Sequence, residues 1–303
     1  MSIQLQTVDE NAEGQRLDNY LLKQLKGVPK SHIYRVIRKG EVRVNKGRKK
    51  ADYKLLLGDV VRVPPVRVAQ SNTATASDLL VQSLQAGILY EDEGLLAINK
   101  PSGLAVHGGS GIGAGVIEAL RPQYQQPIEL VHRLDRATSG VLLIAKKRAV
   151  LKQLQAQLKA RTIKKIYLGL VQHVWQKKQH RIDALLKHNS RLTVVDARGK
   201  AALSYFRPIQ NYAHESYPAS LVEIEIQTGR MHQIRAHAQY AGHPLAGDQK
   251  YGDWSFNRQL QKLGLKRLFL HAHQLTFSNP SSNQPLTITA NLPEELTAFL
   301  QRL

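Results

Sequence analysis

One carboxylate among cationic and titratable neighbours is the first place where this chain could do chemistry. The stretch Val131-His132-Arg133-Leu134-Asp135-Arg136-Ala137-Thr138-Ser139-Gly140 sets Asp135 between Arg133 and Arg136, with His132 just before them. Nearby positive charge favours an ionised carboxylate, so both arginines are expected to hold Asp135 charged. The apolar run Val141-Leu142-Leu143-Ile144-Ala145 follows at once and reads as a buried strand. Asp135 would then sit on a turn braced by a sheet, where a reacting group can be held rigidly. Thr138 and Ser139 can bond local backbone, and Gly140 permits a tight bend. A surface turn with a structural ion pair is the plainer reading, since such pairs also surround carboxylates with charge.

The residues narrow the choice. His132-Arg133-Leu134-Asp135-x-x-Thr138-Ser139-Gly140 resembles the catalytic signature of the RluA branch of pseudouridine synthases. The likeness runs over nearly the whole chain, and is strongest to members acting on large-subunit (23S) rRNA. It implies that Asp135 is the essential catalytic residue. One departure is Ala137, where the family pattern leads one to expect an acidic residue. Three further stretches carry the resemblance. Lys100-Pro101 matches a first motif that supports the catalytic loop. Tyr167, in Lys164-Lys165-Ile166-Tyr167-Leu168-Gly169-Leu170-Val171, matches an active-site tyrosine that stacks on the target base and can carry a proton; core packing is the alternative. In Gln227-Thr228-Gly229-Arg230-Met231-His232-Gln233-Ile234-Arg235-Ala236-His237, Arg235 matches the arginine that pairs with the catalytic aspartate. Ile234 there matches a residue lining the uracil pocket. Arg133 adjoins Asp135 and is expected to fill the space a flipped base vacates. His132, His107 and Arg230 are further expected RNA contacts.

The implied reaction breaks the N1–C1′ bond of a uridine, rotates the uracil and rejoins it through C5. It needs no redox step and no energy source, so no cofactor is expected. It does need a carboxylate close to the ribose and base in a site that excludes water. The base must also leave the RNA stack to reach it. Whether Asp135 attacks the sugar or the base carbon is left open by the sequence.

Composition agrees with such a substrate. The 303 residues carry 43 Lys+Arg against 23 Asp+Glu, a formal net charge of +20, which suits a polyanion. No long apolar span and no lipidation signature favour a membrane. The first residues lack the pattern of a secretory signal, so a cytoplasmic location is the default expectation. The absence of cysteine excludes disulfides, thiol nucleophiles and Cys-ligated zinc. His232, His237 and His243 are spaced by five and six, which does not repeat a helical face, so no metal site is expected. His107-Gly108-Gly109-Ser110-Gly111-Ile112-Gly113-Ala114-Gly115 lacks both a Walker lysine and a proper dinucleotide fingerprint, and reads as a mobile loop near the RNA entrance.

The elements that must position these residues fall into two domains. Residues 1–65 read as helix, helix, strand, strand. Leu17, Tyr20, Leu21 and Leu25 form one apolar stripe, and Ile33, Val36 and Ile37 another. Gly14-Gln15-Arg16-Leu17-Asp18-Asn19-Tyr20-Leu21 with Ile33 to Asn45 resembles the S4 RNA-binding domain. His32, Arg35, Arg38, Arg43, Lys46 and Arg48 are its expected backbone contacts; mere solubility is the competing reading of these charges. Residues 66–86, with Gln70-Ser71-Asn72-Thr73-Ala74-Thr75-Ala76-Ser77, are expected to be a flexible linker. Residues 87–303 form the catalytic domain. Hairpin strands at 88–98, helices at 116–120 and 151–158, and strands at 164–171, 200–206, 221–226, 268–272 and 274–277 precede a helix from Pro293. Strands dominate, so the fold class is α+β, a mostly antiparallel mixed-sheet catalytic domain behind a small S4-like domain. The expected partner is large-subunit rRNA or its assembly precursor, bound by a monomer with no protein partner. The alternatives are a non-catalytic RNA-binding or assembly protein and a related synthase acting on tRNA.

Overall fold

Apolar residues at helical spacing set the first unit. In the computed structural model, which describes residues 3–25, 28–65, 77–108, 114–176, 180–190 and 192–303, strand β1 (Gln4–Thr7) precedes helices α1 (Leu17–Gln24) and α2 (Lys30–Lys39). Strands β2 (Arg43–Val44) and β3 (Val60–Val63) complete an antiparallel sheet of order β1-β3-β2. The two stripes meet: Leu17, Leu21, Ile33, Val36, Val44 and Val61 are all buried in one cluster. Gly40 ends α2 in a left-handed conformation (φ +72°), and its N–H bonds the last turn. Strand β1 lay outside the expected order because it has almost no buried face; Leu5 is 70% exposed, and backbone pairing to β3 holds it.

The chain divides by its contacts into Met1–Ala74 and Thr75–Leu303. Residues 66–76 of the expected linker, and 109–113 of the glycine-rich loop, lie outside the described residues. Residues 78–86 are no linker. They form helix α3 (Asp78–Ala86), capped by Ser77, whose Oγ accepts from the Leu80 N–H, with Leu84 wholly buried in the main core.

The second unit continues through β4 (Ile88–Glu91), β5 (Leu95–Lys100), α4 (Val116–Leu120), β6 (Glu129–Leu130), β7 (Ser139–Ala145) and α5 (Arg148–Ala160). Then follow β8 (Lys164–Gln172), β9 (His180–His188), β10 (Thr193–Val195), β11 (Lys200–Tyr212), β12 (Ala219–Ile226), α6 (Gln233–Tyr240), α7 (Trp254–Lys262), β13 (Leu270–Ser278), β14 (Pro285–Thr289) and α8 (Glu294–Leu300). Among the described residues the strands form one sheet of order β10-β9-β11-β12-β8-β13-β7-β5-β4, with β14 on β13 and β6 on β7. Only the β13–β7 pair is parallel, so the sheet is mixed and mostly antiparallel. The two short strands expected at 268–277 are a single one, with its register shifted between Ala272 and Gln274.

Strand β7 lies between two cores. All seven residues are buried. Period two sends Leu142 and Ile144 into one cluster with Ile98, Leu134 and Ile234, and Val141 and Leu143 into another with Leu95 and Leu154. Each such aliphatic side chain contributes roughly 1.5–3 kcal/mol. At its start Gly140 has φ +111°, and a Cβ there would lie 2.2 Å from the Ala272 carbonyl oxygen of β13. Gly140→Ala should therefore cost about 3–5 kcal/mol through strain and overpacking. Urea unfolding measures this, and an unchanged midpoint would contradict the close approach.

Two core histidines, His237 and His271, are pushed down to about 4, chiefly by burial. Both values lie below the ordinary 6.5, so on acidification the unfolded chain takes up protons first. Their stabilisation is complete above about pH 6.5 and is lost as pH falls through 4, up to about 3 kcal/mol for each. Unfolding midpoints should be level from pH 7.5 to about 6.5 and fall from there to pH 4.5; a flat profile throughout would exclude the effect.

Candidate active site

The motif turn is pinned from below. Lys100, fully buried at the end of β5, donates through Nζ to the carbonyls of Pro101 (2.9 Å), Leu104 (2.8 Å) and Arg136 (3.3 Å). Ser102 Oγ donates to Ala137 O at 2.7 Å, and Gly103 N–H to Arg136 O at 2.8 Å. Burial first, then the Arg267 charge, lowers the Lys100 ammonium to about 7, against the pull of Asp135. Ser139 ties the turn to β13. It accepts from Arg267 Nη2 (2.6 Å) and lies 2.9 Å from His271 Nδ1, whose Nε2 is 3.0 Å from Ala290 O. An Nε2–H donating to Ala290 leaves Nδ1 to accept the Ser139 hydroxyl proton.

Asp135 thus emerges from a fixed turn, with its side chain one-fifth exposed. Its sequence neighbours are not its partners. Arg136 Nε turns back to donate to Gly103 O at 2.8 Å, and Arg133 is exposed. The expectation that these two hold the carboxylate charged is corrected: on a tight turn, adjacent side chains diverge. The facing charge comes instead from α6, where Arg235 Nη1 lies 3.6 Å from Asp135 Oδ2, and the His232 ring just before α6 places Nε2 3.7 Å from the same oxygen.

Arg235 is 7% exposed and is held more tightly by a residue the motifs did not single out. Its Nε and Nη2 donate to Asp248 Oδ2 (2.7 Å) and Oδ1 (2.6 Å), and its guanidinium lies 4.8 Å from the centre of the Tyr251 ring. Burial opposes its charge, yet the Asp248 carboxylate outweighs burial and raises its pKa. Asp248 in turn accepts from the N–H groups of Lys250 and Tyr251. The turn-rich segment Gly247-Asp248-Gln249-Lys250-Tyr251-Gly252 was the available signal.

His232 was weighed only as a metal ligand. It sits before α6 in a left-handed conformation (φ 52°), with Nδ1 2.8 Å from the Tyr251 hydroxyl, which accepts the Thr193 N–H at 2.7 Å. Burial lowers its pKa, opposed by Asp135, so it is neutral near pH 7. Among the described residues no cluster of three or more His, Cys, Asp or Glu could hold a metal.

A cavity of about 200 Å³ opens over this group. Asp135, Arg235, Tyr167, Ile234, Arg133 and Arg230 line it, together with His232. Tyr167, on β8, is 8% exposed; burial first, then the Asp135 charge, raises its phenol, which therefore stays protonated. Not every expected contact joins them. His132 lines a neighbouring cavity, and its Nε2 accepts the Leu143 N–H at 3.1 Å. Burial drives it down to about 4, so it is neutral and part of the scaffold. His107 is exposed and lines neither cavity.

In the first unit Arg35 and Arg38 are exposed on α2, and Lys46 and Arg48 are exposed on the segment after β2. Arg35 Nη2 lies 2.8 Å from His32 Nδ1, and Arg43 Nε donates to Gly40 O.

Comparison with known proteins gives the same two parts. Residues 94–240 match the RNA pseudouridylate synthase family, and residues 15–61 the S4 domain. Ribosomal large subunit pseudouridine synthase C of Haemophilus influenzae is 51% identical over all of this chain and 95% of its own length. The protein of the same name in Escherichia coli K12 is 49% identical over all of this chain and 97% of its own. Among solved structures, human RNA pseudouridylate synthase domain containing 4 is similar with a TM-score of 0.59 and 27% identity, over 74% of this chain and 95% of that one. Human RNA pseudouridylate synthase domain containing 1 gives 0.59 and 25%, over 70% and 85%.

Removing the charge of Asp248 would leave Arg235 buried with only the more distant Asp135. Asp248→Asn should cost about 3 kcal/mol in unfolding and lower turnover on RNA more than RNA affinity. Denaturation alongside single-turnover and binding assays checks this; unchanged stability and rate would remove Asp248 from the site.

Proposed function

Because the chain belongs to the RNA pseudouridylate synthase family, we propose that it isomerises uridines of large-subunit rRNA to pseudouridine, with Asp135 as the group that acts on the flipped nucleotide. The observation carrying this is the juxtaposition of Asp135, Arg235 and Tyr167 on one cavity of about 200 Å³. A pure RNA binder has no use for a carboxylate poised beside a buried guanidinium. Relatives named for the large ribosomal subunit over almost their full length favour rRNA over tRNA.

In this reading a uridine leaves the RNA stack and enters the cavity, at a cost of a few kcal/mol. Arg133, exposed at the rim, fills the vacated space. Ile234 and Tyr167 hold the uracil between an apolar and an aromatic face. Asp135 attacks the sugar or base carbon, and the N1–C1′ bond breaks. Arg235 keeps the carboxylate oriented while the walls retain the free uracil. After rotation the base rejoins through C5, the bond to Asp135 breaks and returns its electron pair to the carboxylate, and the C5 proton must leave. A phenol raised by burial and by Asp135 is a poor phenolate. Tyr167 therefore works as a relay, accepting the C5 proton as its own proton passes to the released Asp135 carboxylate on the same cavity, rather than as a free base.

The N-terminal unit, with its exposed cations on α2 and after β2, binds the rRNA backbone. We propose that the protein acts as a monomer in the cytoplasm. No helix among the described residues is long and apolar enough to cross a membrane.

Asp135→Asn should abolish pseudouridine formation in a 23S rRNA transcript, by on the order of 10⁴-fold or more, while RNA affinity stays within a few fold. Tyr167→Phe should slow product formation without preventing base flipping. Mass-shift labelling of pseudouridine with filter binding reads both; turnover by the Asn variant would end the assignment of Asp135.

A further inference from the structure

A second cavity, larger than the one that holds Asp135, adjoins it. About 490 Å³ lies beside it, and Arg133, Tyr167 and Arg230 are shared walls. Its floor is apolar, built by Leu143, Leu158, Ile163 and Leu275. Its remaining charged lining is cationic throughout. Lys159 lies in the last turn of α5, Arg161 follows in a left-handed conformation (φ 61°), and Lys165 projects from β8.

Period two along β8 puts Lys165 on the same face as Tyr167, one step farther from Asp135's cavity. Lys165 is 8% exposed and, among the described residues, makes one hydrogen bond, to Ile163 O at 2.9 Å, leaving two ammonium protons for an occupant. The acid nearest in effect, Glu225, already accepts from Gln227 Nε2 at 2.6 Å. Lys159 and Arg161 form no ion pair among the described residues. Keeping an ammonium so buried is costly unless an anion arrives.

An apolar floor under a rim of unpaired cations fits a nucleotide, its base below and its phosphate above. We propose that this cavity takes a second nucleotide of the substrate RNA, a neighbour of the target uridine, with its base on the Leu143–Leu158 floor and its phosphate toward Lys159, Arg161 and Lys165. The proposal rests on the smaller cavity being the target-uridine site. A partly unstacked loop must place its other bases somewhere, and a contiguous pocket makes the enzyme complementary to that loop shape. Selection among rRNA loops then follows from whether a neighbour can reach this pocket while the target reaches Asp135.

The test uses the full chain carrying Asp135→Asn, bound to 23S rRNA transcripts. Separate transcripts are substituted with 4-thiouridine, 6-thioguanosine, 8-azidoadenosine or 5-iodocytidine. After irradiation, crosslinked peptides are mapped by mass spectrometry. Two sites are expected, one at residues 231–235, which line only the smaller cavity, and one at residues 158–165, which line only the larger. Leu158→Trp, which fills the floor, should reduce the second at least fivefold and leave the first within twofold. Should that variant fail to fold, Lys159→Glu with Arg161→Glu changes only exposed side chains. In the otherwise wild-type enzyme this pair should raise KM about tenfold, keep kcat within twofold, and lower the salt slope of log affinity by about two. A crosslink at the first site alone, or a KM and salt slope that do not move, overturns the second-nucleotide pocket and spares the target site. Loss of both crosslinks would overturn the target-site assignment and this proposal with it.

Discussion

Everything in the catalytic unit turns on one buried guanidinium shared unequally by two carboxylates. Arg235 gives its two short hydrogen bonds to Asp248 and only a longer approach, 3.6 Å, to Asp135. The inequality has a purpose. A cation bound equally tightly to Asp135 would occupy the lone pairs that now border the cavity. Asp248 carries the cost of burying the charge, and Asp135 receives its field with its oxygens still free to react. Behind Asp135 the ammonium of Lys100 does the same for backbone, collecting the carbonyls of Pro101 and Leu104 from the loop after β5 and of Arg136 from the motif turn, so that they need no water.

Much of this was legible in the chain, for reasons that differ by residue. The run Val141 to Ala145 announced a strand buried on both faces because neither face could be polar. The stripes of α1 and α2 were equally plain. The site residues Asp135, Tyr167 and Arg235 were named from motif resemblance, not from periodicity, and their common cavity comes from the sheet order, which no local pattern encodes. Asp248 was hidden because an aspartate in a glycine-rich turn looks like a turn former. Its partner lies thirteen residues away, and a helix and a bend separate them. The place of His232 beside Asp135 was not foreseen, because spacing speaks to shared ligands but not to a ring aimed at a carboxylate. Strand β1 and helix α3 were missed for opposite reasons: the one buries almost nothing, and the other begins inside a polar stretch that resembles a tether.

The positive charge divides in the same spirit. On the first unit it is spread over exposed side chains of α2 and the segment after β2, suited to a backbone and indifferent to bases. In the catalytic unit part of it is sunk into cavity walls, at Lys165 and Arg235, where position matters more than quantity. Net charge alone would not distinguish the two uses.

The one parallel pairing in the sheet has a consequence for biogenesis. Strand β7, which leads out of the Asp135 turn, is flanked by β5 from early in the chain and by β13 from near its end. Ser139 and Gly140 dock directly on His271 and Ala272. A nascent polypeptide emerging from the translation machinery therefore holds the motif long before the strand that completes its setting has been synthesised. Long-range closure of this kind is slow and comes late. The enzyme is thereby kept from competence until β13 has been translated, and a truncated product ending before β13 would be a ribosome-derived fragment with an intact signature and no working pocket.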